Sequence, residues 1–176
     1  MNFCHKVDEQ LTLAIVQPCL AEEIYALVDS NREHLAQWMP WIESTKGVEQ
    51  ISNWIKQSLM SFSEGTGITC AILLNNTVVG IIGYNKIDKS LKKVKIGYWV
   101  SSEHQGKGII TRACRHLIGH AFNELAVNKV EITVATENIK SRAVCERLGM
   151  ELEGIISNSE RVGDQIYDHA VYSLKK

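Results

Sequence analysis

The stretch from Ile96 to Leu125 constrains the fold of this chain more than any other. Ile110, Ala113, Cys114, Leu117, Ile118, Ala121, Phe122 and Leu125 recur at i, i+3, i+4 and i+7, the period of an amphipathic helix, with Arg112, Arg115 and Asn123 elsewhere on its surface. Directly ahead lies Gln105-Gly106-Lys107-Gly108, and ahead of that the strand-like run Ile96-Gly97-Tyr98-Trp99-Val100. A strand, a glycine turn and a long helix therefore follow one another without a gap.

The flanking sequence alternates between the two periods. Leu11, Leu13 and Ile15 read as a short strand, and Pro18 suits a helix start, where its missing N–H costs nothing. The segment from Cys19 to about Trp38 predicts one bent helix or two short ones, ending before Pro40. Val48, Ile51, Trp54, Ile55, Ser58, Leu59 and Phe62 fall at helical spacing, with Gly65 beyond them. Ile68 to Leu74 is β-like, Asn75-Asn76 can form a tight hairpin turn, and Thr77–Ile87 and Val94–Val100 continue an antiparallel meander. Val130, Ile132 and Val134 alternate as a strand, a helix follows from about Ser141 to Leu148, and Gly149 can close it. Glu151–Ser159 and Tyr167–Leu174 predict a final hairpin around Val162-Gly163-Asp164. No linker, repeat or low-complexity segment interrupts residues 1–176, so one α+β domain around a mixed sheet is expected.

Composition limits the function classes. The 176 residues carry 19 Lys+Arg against 20 Asp+Glu, a formal charge of −1 that argues against coating nucleic acid. A chain of this length buries about 70% of the surface its unfolded form exposes and needs no disulfide or metal staple. Cys4, Cys19, Cys70, Cys114 and Cys145 are odd in number and scattered without a C-x-x-C, the pattern of reduced thiols. The start, Met-Asn-Phe-Cys-His-Lys-Val-Asp-Glu, has no apolar leader core, and the longest apolar stretch, Val78 to Tyr84, is far too short to span a bilayer. A cytoplasmic protein without membrane attachment is the expectation.

Glycines before a helix let the backbone turn tightly and approach a ligand, and free N–H groups at a helix start bind phosphate. A plain tight loop accounts for G-x-G before a helix equally well. Two sharper patterns fail: Gly108 follows Lys107 where a Walker loop needs Ser or Thr, and Thr111 stands where a dinucleotide fingerprint needs a third small residue.

In combination these segments resemble the GNAT N-acetyltransferases. Gln105-Gly106-Lys107-Gly108-Ile109-Ile110 is similar to their Q/R-x-x-G-x-G/A acyl-CoA loop, with Ile110 departing from the usual small last residue. Asn138-x-x-Ser141 followed by Leu148-Gly149-Met150 is similar to their next motif. More narrowly, Ile96-Gly97-Tyr98-Trp99-Val100, His104 to Ile110 and Leu152-Glu153-Gly154 resemble the RimJ/RimL-type ribosomal-protein N-terminal acetyltransferases, over a span from Asn31 to Tyr172. The resemblance implies the GNAT fold, with a mostly antiparallel twisted sheet of about six or seven strands and two central strands, Lys95–Val100 and Lys129–Ala135, splayed around acetyl-CoA. It implies Trp99, Val100, residues 105–110, Asn138 and Ser141 against the cofactor, with Lys107, Arg112 and Arg115 near its phosphates or simply solvated. It implies an acceptor groove beside Asn31, His34, Leu35, Trp38 and Trp41, where core packing is the competing reading for the tryptophans.

Acetyl transfer needs a neutral amine, a polarised thioester carbonyl and a stabilised thiolate. An α-amine, at about 7.7–8.0, is far easier to deprotonate than lysine at about 10.4. The resemblance makes Ser141 the acid and Glu160 the base, against a helix N-cap for Ser141 and a bare surface charge for Glu160. Cys145 stands where many relatives carry a tyrosine acid, and Lys95 stands where they often carry a glutamate. Cys145 shares a helix face with Ser141 but reads better as a core residue. His116 and His120, four apart, lack a third ligand, so no metal is expected; His104 shapes the loop. The expected activity is acetyl-CoA-dependent acetylation of a protein N-terminal α-amine, such as that of a ribosomal protein, in a ternary complex without contact to nucleic acid. The alternatives are acetylation of a small amine (polyamine, aminoglycoside or toxin) and a non-catalytic acyl-CoA-binding module. A homodimer is implied by analogy alone.

Overall fold

The computed structural model describes residues 4–176; residues 1–3, the front of the stretch read for a leader, lie outside it. Eight strands form one sheet: β1 (Cys4–Lys6), β2 (Leu11–Ile15), β3 (Ile68–Leu74), β4 (Thr77–Asp88), β5 (Lys93–Val100), β6 (Lys129–Ala135), β7 (Glu151–Val162) and β8 (Gln165–Lys175). Their spatial order is β1-β2-β3-β4-β5-β6-β8-β7, antiparallel except where β5 runs beside β6. The eighth strand beyond the expected six or seven is β1, whose Cys-His-Lys carries no apolar alternation and shows itself only by pairing with β2. The helices are α1 (Ala21–Ser30), α2 (Arg32–Ala36), α3 (Val48–Glu64), α4 (Ile109–Asn123) and α5 (Ile139–Arg147). The segment after Pro18 is thus two helices broken at Asn31, after one turn of 3-10 helix at Pro18–Leu20.

Local chemistry accounts for the turns. Asn75 and Asn76 both hold positive φ, 49° and 66°, the conformation that a two-residue hairpin between β3 and β4 demands. The last hairpin turns at Gly163-Asp164, so Val162 belongs to β7 rather than to the turn.

Alternation along the strands divides the buried residues between two faces. Leu11, Leu13, Cys70, Ile72, Ile82, Tyr84 and Ile96 face α4 and α5, meeting Ala113, Cys114, Leu117 and Ala121 of the helix stripe. Ala71, Val78 and Ile81 face the other way, onto Ile24, Val28, Leu35, Ile42, Ile51 and Ile55 of α1–α3 and the segment between. Leu117 is fully buried, and its truncation to alanine should cost about 2–5 kcal/mol. The chain is therefore a three-layer α/sheet/α body with one helical layer per sheet face.

One defect in the sheet positions the site. β5 and β6 pair only from Lys93–Lys129 to Ile96–Ile132. Beyond that, Gly97–Val100 stay with β4 while Thr133–Ala135 stay with β8, so the two strands part. Their facing backbone groups lose their ladder partners there and remain available to a ligand.

Candidate active site

The gap opens into a groove of about 1670 Å³. Its wall includes Ile24, Ile51 and Trp54 from the α1–α3 layer and Ile109, Ala143 and Val144 from the α4–α5 layer, so it runs from one sheet face to the other through the parted strands.

At one end stands the glycine loop. Gly106 and Gly108 both hold φ +71°, and nothing lies within 4 Å of where a side chain would begin. The conformation, not the space, demands glycine, because a β-carbon there costs about 1–2 kcal/mol. Gly108 is the cap residue of α4, and the amide of Arg112 is the first to close on its carbonyl, leaving the earlier amides without helical partners. The helix dipole adds positive potential at the same place. Gln105, Gly106, Gly108, Ile109 and Ile110 line the groove, Ile110 with its side chain packed in the core.

None of the three cations weighed for this end lines the groove. Lys107 and Arg115 are exposed and take no part in the groove wall. Arg112 turns away, donating to Asp8 Oδ2 at 2.6 Å, so it braces the β1–β2 turn instead of facing phosphates. Lys140 and Arg147 of α5 line the groove in their place. Lys140 Nζ donates to Gln105 Oε1 at 2.8 Å, and Gln105 Nε2 donates to His34 Nε2 at 2.7 Å, tying α5, the loop and α2 together at the rim. Burial, with the Lys140 charge behind it, holds His34 below the usual imidazole value, as a neutral accepting ring requires. Arg147 Nε donates to Thr111 Oγ1 at 3.4 Å across the start of α4. Helical periodicity ranks none of these: Lys140 and Arg147 become neighbours of the loop only through the packing of α5 on α4.

The middle of the groove holds paired hydroxyls. Asn138, not Ser141, is the N-cap of α5: its Oδ1 accepts from the Ser141 amide at 3.1 Å, since the helix begins at Ile139 and Ser141 is its third residue. Capping therefore does not consume the Ser141 hydroxyl, which meets the Tyr98 hydroxyl at 2.7 Å. Burial pushes the Tyr98 phenol well above its usual value, so it stays protonated and able to donate. Cys145, one turn after Ser141, is fully buried, and burial pushes its thiol up to about 12. It is a core residue. Tyr98 was legible in principle: strand alternation puts it on the face of Ile96 and Val100, towards α5, and Trp99 on the other.

At the far end, aromatic pairs bracket the groove. Trp41 and Trp99 rings stand 6.3 Å apart, and Trp38 reaches Tyr167 of β8 at 5.6 Å. Trp38, Trp41, His34 and Leu35 all line the groove. Asn31 does not. It is buried, its Nδ2 donates to the Leu27 carbonyl and to Ser30 Oγ, and its Oδ1 accepts from the Ser102 amide and hydroxyl, so it clamps the α1–α2 corner to the loop after β5. Glu160 lines the groove with His169, whose Nε2 lies 3.4 Å from Glu160 Oε2. Lys95 also lines it. Tyr172, below this end, accepts from Arg142 Nε at 3.0 Å, which fixes the start of α5 to the sheet.

The remaining histidines serve packing. His5 Nδ1 meets His116 Nε2 at 3.0 Å, and the Tyr84 hydroxyl, donating to the Leu117 carbonyl at 2.6 Å, meets His120 Nδ1 at 3.0 Å. His104 Nδ1 meets Ser101 Oγ at 2.8 Å and so braces the turn into the glycine loop. Among the described residues no group of three or more His, Cys, Asp or Glu is arranged to hold a metal ion, and no helix is long and apolar enough to cross a membrane.

Comparison with known proteins converges on one family. The acetyltransferase (GNAT) domain model matches residues 10–151. YdaF of Bacillus subtilis (strain 168), named as a candidate ribosomal N-acetyltransferase, is 36% identical over 179 residues, covering 99% of this chain and 96% of that one. The ribosomal-protein-serine acetyltransferase of Escherichia coli (strain K12) is 29% identical over 168 residues, with coverage of 96% and 94%. The solved structure of the microcin C7 self-immunity acetyltransferase MccE, in complex with acetyl-CoA and AMP, superposes with a TM-score of 0.93 at 29% identity, over 97% of this chain and 95% of that one. With parted central strands, a glycine loop at a helix start and a family match over most of its length, the chain belongs to the GNAT acetyltransferase family.

Proposed function

We propose that this N-acetyltransferase transfers acetyl from acetyl-CoA to the N-terminal α-amine of a protein, a ribosomal protein in the first instance, by direct attack in a ternary complex. The observation that carries the reading is the groove's passage through the sheet: donor and acceptor can enter from opposite faces and meet between the parted strands. The pyrophosphate rests on the amides of residues 106–110, beside Lys140 and Arg147, and the pantetheine arm lies along Trp99, Val100 and Asn138. Ser141, with Tyr98 behind it, donates to the leaving thiolate, and Glu160 supplies the carboxylate of the base. An α-amine suits this equipment, being near neutrality while a lysine amine is about two and a half pKa units above it. The similarity to ribosomal N-acetyltransferases over nearly the whole chain supports the acceptor class. The protein acts in the cytoplasm, as a homodimer by analogy with its family.

A second reading, acetylation of a small amine-bearing molecule, draws on the likeness to the microcin C7 self-immunity enzyme and on the aromatic pairs at the acceptor end. CoA release with acetyl-CoA and a panel of ribosomal-protein N-terminal peptides, polyamines and aminoglycosides separates the two. Peptides should give the highest kcat/KM. Preference for a small amine would replace the first reading with the second, and tight acetyl-CoA binding without turnover on any amine would leave a binding module.

A further inference from the structure

We propose that the proton leaving the acceptor amine comes to rest on His169, with Glu160 as its partner carboxylate, so that the base of this enzyme is a two-residue unit on the last hairpin. The inference rests on the acetyltransferase reading above and adds a residue to it.

The hairpin is built to bring the two together. Ile156 pairs with His169, and regular antiparallel pairing from there would set Glu160 opposite Gln165. The register instead shifts between Ile156 and Glu160, and Glu160 stands opposite Tyr167. That bulge draws Glu160 two residues along β8 and makes it the diagonal neighbour of His169 on the same face, within reach for long side chains. The bulge is pinned: Asn158 holds φ +50°, and its amide donates to Asp168 Oδ1 at 2.8 Å. Tyr167, on the same face, contacts Trp38, so the pair lies beside the aromatic bracket at the acceptor end. His169 is the more enclosed partner, its side chain 14% exposed against 39% for Glu160. Among the described residues, Glu160 is the one carboxylate within ion-pair distance of His169.

The division of labour follows from ordinary acidities. Moving a proton from an α-ammonium at about 7.7–8.0 to an imidazole at about 6.5 is uphill by little more than one pKa unit; to a carboxylate at about 4.3 it is uphill by about three and a half. An imidazole is thus about a hundredfold better matched, and an adjacent carboxylate favours the imidazolium that forms. In the balanced step the α-ammonium first gives one proton to the His169 imidazole, and the neutral nitrogen then attacks the thioester carbon and forms the C–N bond. The C–S bond breaks, the thiolate takes a proton from the Ser141–Tyr98 hydroxyls, the nitrogen's second proton replaces it there through solvent, and His169 releases its proton to solvent.

The test is the pH dependence of kcat with saturating peptide and acetyl-CoA, which reports groups in the ternary complex. Wild-type enzyme should show an acid limb, with kcat falling as the pH is lowered and the imidazole protonates. The groove also holds His34, Lys95, His104, Glu137, Lys140 and Arg147, so the limb is assigned by variants. His169→Gln should lower kcat about a hundredfold and abolish the limb. Glu160→Gln should lower kcat about tenfold and move the limb to lower pH, because the imidazolium loses its partner. Added imidazole should restore turnover to His169→Ala and not to Glu160→Gln, a rescue that a merely structural histidine would not show. Calorimetric acetyl-CoA binding checks that each variant is folded. Wild-type turnover with an unchanged limb in His169→Gln, or no acid limb in wild type, would overturn the proposal. Absence of wild-type turnover with every amine would instead defeat the underlying function.

Discussion

The two ends of the groove are built by different rules. The donor end is made of backbone: two glycines at positive φ, the free amides that open α4, and strand edges left unpaired where β5 leaves β6. Its parts lie within about one strand, one turn and one helix of the chain, and main-chain geometry does most of the work. The acceptor end is made of side chains brought from far apart, with Trp38 meeting Tyr167 and Glu160 meeting His169 across a bulged hairpin. A backbone site tolerates changes in most of its side chains and fails through its glycines. A side-chain site can change its acceptor without disturbing the cofactor.

Substitutions can break that distinction. The largest effect belongs to the acceptor end: His169→Gln should lower kcat about a hundredfold with the acetyl-CoA KM unchanged, in steady-state CoA release. Next comes the donor end, where Gly108→Val should raise the acetyl-CoA KM about 5- to 30-fold, the equivalent of about 1–2 kcal/mol of left-handed strain, while the peptide KM stays put. In the middle, Tyr98→Phe and Ser141→Ala should each lower kcat about tenfold. The double variant should fall by much less than the product, because one hydroxyl pair is being removed twice. Trp38→Ala should raise the peptide KM several-fold and leave the acetyl-CoA KM alone. The smallest contrast concerns the cations. Arg147→Ala should weaken acetyl-CoA binding a few-fold by calorimetry, whereas Arg112→Ala should leave it unchanged and cost at most about 1 kcal/mol of stability, the range for a partly exposed ion pair.

The same difference explains what the sequence discloses. The helix stripe from Ile110, the glycine loop and the strand before it are local patterns, and each appears where the sequence places it, except that α4 ends at Asn123 and leaves Leu125 just beyond it. The hairpin turn at Asn75-Asn76 follows from residue chemistry alone. β1 is invisible because three residues of Cys-His-Lys carry no period and depend on β2 for their conformation. Ser141 reads as a cap because serine favours that position, yet Asn138 three residues earlier takes it, and the helix starts two residues sooner. For Arg112 the resemblance leaves a phosphate neighbour or a solvated charge open, and neither anticipates Asp8, its ion-pair partner 104 positions away. Asn31 likewise finds its partners in Ser102 across the fold. His169 carries no local signal at all; only the bulge pinned by Asp168 makes it a neighbour of Glu160.

The central claim, acetyl transfer to a peptide α-amine, is tested most directly by two peptides of one ribosomal-protein N-terminal sequence, each with an internal lysine, one with a free α-amine and one with it blocked. Acetyl-CoA turnover should proceed on the free peptide, mass spectrometry should locate the acetyl group on the terminal nitrogen, and the blocked peptide should give only background CoA release. Equal turnover on both peptides, with acetyl on the lysine, would contradict the account.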